Sequence, residues 1–266
     1  MADETRSLLA PQRHALILEE LSRGGAVRVA DLVPRLGVSD MTVRRDLEHL
    51  ARQGLAEKVH GGAVVPGGAA AFEPGFTAKS DRAMSAKAAI AAHAARLVSP
   101  GAVVGLGGGT TVHALARHLA DIPNLTAVTN SLPAADVLHR PGPAATVILT
   151  GGTRTPSDVL VGPVADRTIA GLHVDLLFLG CHGITPEAGL TSPNLAEAQT
   201  NTTFIAAARR VVVLADHTKW GMVGLAAFAP LDRVDVFVTD TGLDEQARTA
   251  IAEQTGELVV VPAEDG

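Results

Sequence analysis

Two groups of side chains in this 266-residue chain have types and spacing suited to chemistry. The first is Ser39, Thr42, Arg44 and Arg45, with His60 a little further on. Arginine carries a permanent charge on a planar fork of donors, which fits phosphate oxygens and guanine edges. Hydroxyls suit phosphate, and a threonine methyl suits thymine. An ordinary alternative stands beside this: either arginine can pair with Asp46 or Glu48 on its own stretch. The second group recurs along the chain as small, hydroxyl-bearing and charged residues. These are Gly107-Gly108-Gly109-Thr110-Thr111, Thr129-Asn130-Ser131, Gly151-Gly152-Thr153-Arg154, Gly180-Cys181-His182-Gly183, Asp216-His217-Thr218-Lys219 and Thr239-Asp240-Thr241-Gly242. Three glycines opening a helix let backbone amides approach an anion. Lys219 supplies a counter-charge, and Asp216 or Asn130 can bind hydroxyls. Together they suit a polyhydroxylated or phosphorylated small molecule. Asp175 and Asp216 read equally well as acids that cap a turn at a strand end.

Other chemistries fit less well. A dinucleotide fingerprint needs glycine where Thr110 stands, and an acid where the second strand ends in Asn130. His182 and His217 could meet near Asp216, but no H-x-x-x-H or Cys-His cluster supports a metal. Cys181 has no arguable base partner and reads as a small buried residue. An enzyme acting on sugar phosphates, with Asp175 or Asp216 as general base, is the alternative to a binding protein.

The elements that must hold these residues can be read from periodicity. Val43, Leu47 and Leu50 recur at i, i+4 and i+7, which predicts a helix with one apolar stripe. Ser39 is its N-cap and Asp40 suits the positive end of its dipole. The glutamate of a full capping box is missing, because Thr42 occupies its place. Residues 11–23 predict an earlier helix, with Ala15, Leu18 and Leu21 on one face and Gly24-Gly25 as its stop. Residues 29–36 predict a short second helix, distorted or ended early by Pro34, and Gly37 supplies the turn. This is helix-turn-helix order. Residues 55–59 and 63–65 are short extended runs around His60-Gly61-Gly62, a hairpin or wing. A winged helix-turn-helix over 1–65 is therefore expected. Residues 66–80 read as a linker, irregular over 72–81.

The second domain, 81–266, opens with an Ala-rich helix over 85–98. Apolar runs follow at 103–106, 126–130, 145–150, 175–180, 211–215, 234–239 and 257–261. Helical stretches at 110–120, 132–139, 158–170, 194–208 and 244–254 fall between most of them. The expectation is an α/β, Rossmann-like domain with a mostly parallel sheet covered on both faces. Ligands of such sheets bind beyond the carboxyl ends of the strands, where the second polar group falls.

Bulk composition agrees. At 47% hydrophobic and 19% charged, the chain can bury a core and is not disordered. With one cysteine no intrachain disulfide forms. Met1–Ala10 shows no signal peptide and no apolar run is of spanning length, so a cytosolic protein is expected. The net charge of −6 counts mildly against nucleic acid. It is carried wholly by residues 63–266, and the neutral remainder must set its arginines on one face to meet DNA.

Residues Arg13 to Ala63 resemble the N-terminal domain of the DeoR family of bacterial transcription regulators. The resemblance rests on Val38-Ser39-Asp40-Met41-Thr42-Val43-Arg44-Arg45-Asp46-Leu47 and on His60-Gly61-Gly62-Ala63. The second domain resembles that family's effector domain, whose fold is akin to ribose-5-phosphate isomerase and coenzyme A transferases. The matching pieces are Gly109-Thr110-Thr111, Thr129-Asn130-Ser131, Gly151-Gly152, Val161-Gly162, Asp175, Gly180 with Gly183, Glu197-Ala198 and Asp216-His217-Thr218-Lys219. The resemblance implies a repressor without a cofactor. Its first domain would bind double-stranded operator DNA through Ser39, Thr42, Arg44, Arg45 and His60. Its second would bind a phosphorylated sugar or related effector through Gly107, Gly108, Gly109, Thr110, Thr111, Asn130, Ser131, Gly152, Arg154, Asp175, His182, Glu197, Asp216 and Lys219. A homo-oligomer follows from the symmetry of operators. Two departures stand out: Gly107 replaces the family's common aspartate, and Asn201 its frequent lysine.

Overall fold

The structure is a computed structural model describing residues 8–24, 26–59, 61–66, 73, 75–80, 83–139 and 146–263. Backbone contacts divide the chain into two compact units, Met1–Arg82 and Ala83–Gly266.

In the first unit the helices are α1 (Ala10–Gly24), α2 (Val29–Leu36) and α3 (Asp40–Arg52). Strands β1 (Ala26–Arg28), β2 (Glu57–Val59) and β3 (Gly62–Val64) form an antiparallel sheet in the order β1-β3-β2. The expected stripe is buried: Val43, Leu47 and Leu50 pack with Ile17, Leu21, Leu32, Leu36 and Ala63 in one core. Helix α2 runs two residues beyond Pro34, against the expectation of an early end. It stops where Gly37 turns left-handed, φ 63°, and donates its amide to the Val33 carbonyl at 3.1 Å. Pro34 is exposed, so its ring faces solvent and the helix gives up only one backbone bond. Gly62 sits in the middle strand, and a Cβ there would lie 2.0 Å from the Val27 carbonyl oxygen. Part of the stretch read as irregular linker is helical, α4 (Phe76–Ser80), with the Ser80 hydroxyl donating to the Phe76 carbonyl at 3.0 Å. Five residues are too few to display a period.

The second unit holds α5 (Met84–Ala95), β4 (Val103–Leu106), α6 (Thr110–Leu119), β5 (Thr126–Thr129), α7 (Leu132–Leu138), β6 (Thr146–Leu149), β7 (Thr153–Arg154), β8 (Leu160–Val161) and α8 (Pro163–Ala170). Then come β9 (Val174–Leu179), β10 (Gly183–Thr185), β11 (Gly189–Ser192), α9 (Leu195–Ala207), β12 (Ala208–Leu214), β13 (Ala226–Ala229), β14 (Val236–Asp240), α10 (Glu245–Ala252) and β15 (Leu258–Val261). The seven apolar runs are the seven strands of one parallel sheet, ordered β15-β14-β12-β9-β4-β5-β6. Both faces are covered. Leu106, Phe178, Val212 and Val238 pack on one side with Ile90, Leu115 and Leu119. Leu177, Leu179, Val213 and Phe237 pack on the other with Ile169, Phe204 and Ile251. Strand residues alternate between the two cores, as a period of two demands.

The chain builds outward from β4 through β5 to β6, then returns to place β9 on the other side of β4. The gap between β4 and β9 is a topological switch point, where loops leave in opposite directions and open a crevice. The stretch read as a helix over 158–170 is instead β8 followed by α8. Pro163 suits a first helical turn but not a helix interior, so the helix starts there. A small antiparallel sheet, β10-β11-β13, was not foreseen from sequence. Among the described residues no helix is long and apolar enough to cross a membrane.

Candidate nucleic-acid interface and effector crevice

Helix α3 presents one face to its core and the other outward. Ser39 caps it, accepting the Thr42 amide at 3.3 Å, and the two hydroxyls lie 2.9 Å apart. Arg44 and Arg45 are both exposed. Arg44 pairs on its own helix, but with Asp40: Nε donates to Oδ1 at 2.5 Å and Nη2 to Oδ2 at 3.3 Å. Glu48 takes Lys58 from β2, at 2.7 Å. Among the described residues Arg45 carries no hydrogen bond or close ion pair of its side chain, so its donors face solvent. Asp46 is 5% exposed and points inward. Its carboxylate accepts Arg13 Nε at 2.7 Å and Nη2 at 3.1 Å, and lies 3.0 Å from His14 Nε2. Burial pushes its carboxyl up, but the hydrogen bonds from Arg13 and His14 outweigh that and hold it below the usual carboxylate range. Asp46 therefore ties α3 to α1 and does not mask either arginine. His60 lies outside the described residues.

In the second unit the carboxyl ends of β4, β9 and β12 converge. A Cβ on Gly180 would lie 3.4 Å from the Gly108 carbonyl oxygen and 3.9 Å from that of Leu214. Gly107 donates its amide to Phe178 at 3.0 Å, which keeps the loop against β9. A side chain at Gly107 would meet Leu179 Cδ2 at 2.4 Å, and one at Gly108 would meet Val159 Cγ2 at 2.5 Å. Gly109, φ 118°, turns the chain into α6, so Thr110 and Thr111 stand in the helix's first turn. Thr129 donates its hydroxyl to Leu106 at 2.7 Å, tying β5 to β4. Asn130 is fully buried. Its Nδ2 donates to the Leu160 carbonyl at 3.1 Å, while its Oδ1 has no hydrogen-bond partner among the described residues. Ser131 caps α7, accepting the Ala134 amide at 3.4 Å.

After β12 stands Asp216, 2% exposed. Its Oδ1 accepts the Thr218 amide at 3.1 Å and the Thr218 hydroxyl, and its Oδ2 has no hydrogen-bond partner among the described residues. Burial raises its carboxyl. The charge of Lys219, the Thr218 hydrogen bonds and the charge of Lys87 more than offset this and hold it below the usual range. Burial pushes the Cys181 thiol up to about 12, against the pull of Lys219, so it is a neutral wall residue and no nucleophile. His217 is drawn toward β14: its Nδ1 lies 2.8 Å from Asp240 Oδ2, and its amide donates to Oδ1 at 2.8 Å. Among the described residues no three His, Cys, Asp or Glu side chains form a metal cluster. The assembled features are a glycine loop at a helix start, a lysine, and buried oxygens without donors. Chemically, such a set suits an anion and hydroxyls.

Residues 13–67 match the model of the DeoR-like helix-turn-helix domain, and residues 82–241 that of the DeoR C terminal sensor domain. The chain belongs to the DeoR family. It is 36% identical to the HTH-type transcriptional regulator YgbI of Escherichia coli, over 97% of this chain and all of that protein. It is 37% identical to the HTH-type transcriptional regulator GlpR of Haloferax volcanii, over 95% of this chain and 98% of that one. Among solved structures it is similar to ribose 5-phosphate isomerase A from Methanocaldococcus jannaschii, at a TM-score of 0.36 and 20% identity over 50% of this chain and 53% of that one. This DeoR-family chain is a DNA-binding transcriptional regulator and not an enzyme.

The structure corrects one residue of the effector set. Asp175 stands at the amino end of β9, where its carboxylate accepts the Val103 amide at 2.9 Å. That is the sheet edge opposite Gly107 and Gly180, a strand's length of ~13 Å away. Asp235 does the same for the Val211 amide at 2.7 Å. Each acid accepts a backbone amide of a neighbouring strand, so Asp175 serves the sheet and neither the crevice nor a turn cap. Other members have partners of their own. Arg154 is exposed on β7 and paired with Asp158 at 2.6 Å. Glu197 accepts the Ser192 hydroxyl at 2.8 Å in the first turn of α9. Gly152, φ 121°, passes so close to β8 that a Cβ would lie 2.6 Å from the Val161 carbonyl oxygen. His182 is half-buried, and its amide donates to Thr191 at 3.0 Å. Sequence reasoning missed Lys87, which is buried in α5 within reach of Asp216's charge. A lone lysine among Ala86, Ile90, Ala91 and Ala94, all core residues, was the available signal.

Proposed function

We propose that this DeoR-family regulator is a repressor of a sugar-metabolism operon, released from its operator by a phosphorylated sugar or a related metabolite. The observation that carries the effector half is Asp216. A buried carboxylate with one oxygen lacking a donor, beside Lys219 and the loop Gly107–Gly109, offers hydroxyl recognition and anion recognition in one crevice. Asn130 Oδ1 offers a second acceptor for a hydroxyl. Gly108, Thr110, Thr111 and Ser131 line the approach to the helix starts and supply amides and hydroxyls. The DNA half rests on α3, with Arg45, Arg44, Thr42 and Ser39 as contacts. Regulation is linkage: an effector that prefers the DNA-free conformation shifts the population away from the operator by its differential affinity alone. The protein acts in the cytosol as a homo-oligomer, because a symmetric operator is read by paired copies.

The test is fluorescence anisotropy of the full chain on its own upstream duplex at fixed salt, titrated with a panel of sugar phosphates. Release by one compound supports the reading and names the effector. Specific binding that every phosphorylated sugar leaves unchanged overturns the phosphate half of it. Arg45→Ala is expected to weaken operator binding at least tenfold with an unchanged circular dichroism melt, because among the described residues the Arg45 side chain has no hydrogen bond or close ion pair to lose, only the long-range charge of Glu48. Arg44→Ala has the smaller effect, since Arg44 must first give up Asp40. Equal affinity of wild type and Arg45→Ala at matched salt removes Arg45 from the interface.

A further inference from the structure

We infer that Met41 reads a thymine methyl group in the major groove, and so sets part of the operator's sequence. The inference rests on the reading of α3 as the groove-lying helix. Around that helix, Val43, Asp46, Leu47 and Leu50 face the core, while Thr42 and His49 are half-buried on one flank. The outward arc holds Asp40, Met41, Arg44, Arg45 and Glu48. Two of its charged pairs are internally satisfied, Arg44 with Asp40 and Glu48 with Lys58. What remains in the middle of the arc is Met41 and, one turn later on the same ridge, Arg45.

Met41 is 67% exposed, in the first turn of the helix. It neither caps the helix nor packs in the core of its unit. N-terminal residues of a recognition helix are those that reach base edges. At that place an apolar, flexible side chain can make neither a phosphate contact nor a hydrogen bond to a base. Its complement in the major groove is the C5 methyl of thymine, the apolar feature of the base edges there. Thr42, the other candidate for that methyl, has its hydroxyl turned to Ser39 and stands on the flank. Arg45 rises about 6 Å further along the axis, one or two base steps on, where its fork suits a guanine.

Deoxyuridine tests this directly, since it is thymidine without the methyl. The duplex is one enriched by the full chain from a random pool at fixed salt. Each dT in a half-site is replaced in turn by dU, and affinities are measured for wild type, Met41→Leu and Met41→Ala. At one position wild type and Met41→Leu are expected to lose about fourfold, the worth of one buried methyl group, and about fifteenfold when both half-sites are changed. Met41→Ala is expected to bind dT and dU duplexes alike at that position. Indifference of wild type at every position overturns the inference, as does an equal loss in Met41→Ala. Failure of the underlying docking shows differently: no sequence is enriched, or Arg45→Ala binds as wild type does, and Met41 then loses its role as well.

Discussion

Asp46→Ala is expected to weaken operator binding severely by destabilising the first unit, not by removing a contact to DNA. Asp46 receives two hydrogen bonds from Arg13 and lies against His14, with side-chain exposures of only 11% for Arg13 and 7% for Asp46. Breaking such a pair strands a largely buried guanidinium, at about 3–5 kcal/mol. A unit of this size holds about 4–12 kcal/mol in all, so the loss takes much of its stability. The expected result is a fall of at least a hundredfold in operator affinity, together with a lower-temperature melt of this unit. Effector binding by the second unit is retained. An unchanged melt would sink the structural role. The pH dependence has a definite sign. A carboxyl held below its ordinary value in the fold contributes its stability above the unfolded-state value, and loses it as pH falls through the folded one. Wild type is therefore expected to lose this contribution only below about pH 4, and Asp46→Ala to lack that part of the acid limb.

Asp46 also shows where sequence reading stops. In the run Arg44-Arg45-Asp46 the acid looks like a neighbour's partner, but its partners stand 33 and 32 residues away on α1. The stripe Val43, Leu47, Leu50 and the seven apolar runs were legible because burial imposes local periods of 3.6 and 2 on the chain. The strand-end rule placed Gly107, Asn130 and Asp216 for the same reason: a strand's direction follows once the strand is found. Asp175 was misplaced at that step, because an acid just inside an apolar run does not say which end of the sheet it joins. The small sheet of β10, β11 and β13 was hidden for a different reason. Gly183 and Gly189 leave strands three and four residues long, and their pairing partner Ala226–Ala229 comes much later in the chain. Lys87 was hidden by composition, since an Ala-rich helix has little contrast between its faces. Pairings distant in sequence leave no local period to read.

Lys219→Ala is expected to silence the effector response while leaving operator affinity within about twofold. Lys219 ends the short 3-10 turn His217–Lys219, which Asp216 caps through the Thr218 amide. The turn thus returns the ammonium toward the carboxylate that starts it, and the charge of Lys219 is the foremost influence opposing the burial of Asp216. Two consequences follow from its removal. A bound anion loses a counter-charge in a desolvated crevice, where a charged hydrogen bond is worth about 1.5–3 kcal/mol, or roughly 10–150-fold in affinity. Asp216 also loses support for its ionised form, and with it strength as an acceptor for a hydroxyl. The half-release concentration of the effector is therefore expected to rise at least tenfold, with Lys219→Arg recovering part of the response because it keeps the charge. Asp216→Asn separates the two losses: it keeps Lys219 and is expected to weaken binding of a polyol phosphate more than that of inorganic phosphate. A full response from Lys219→Ala would remove this turn from the effector site and leave the glycine loop to bind the anion alone.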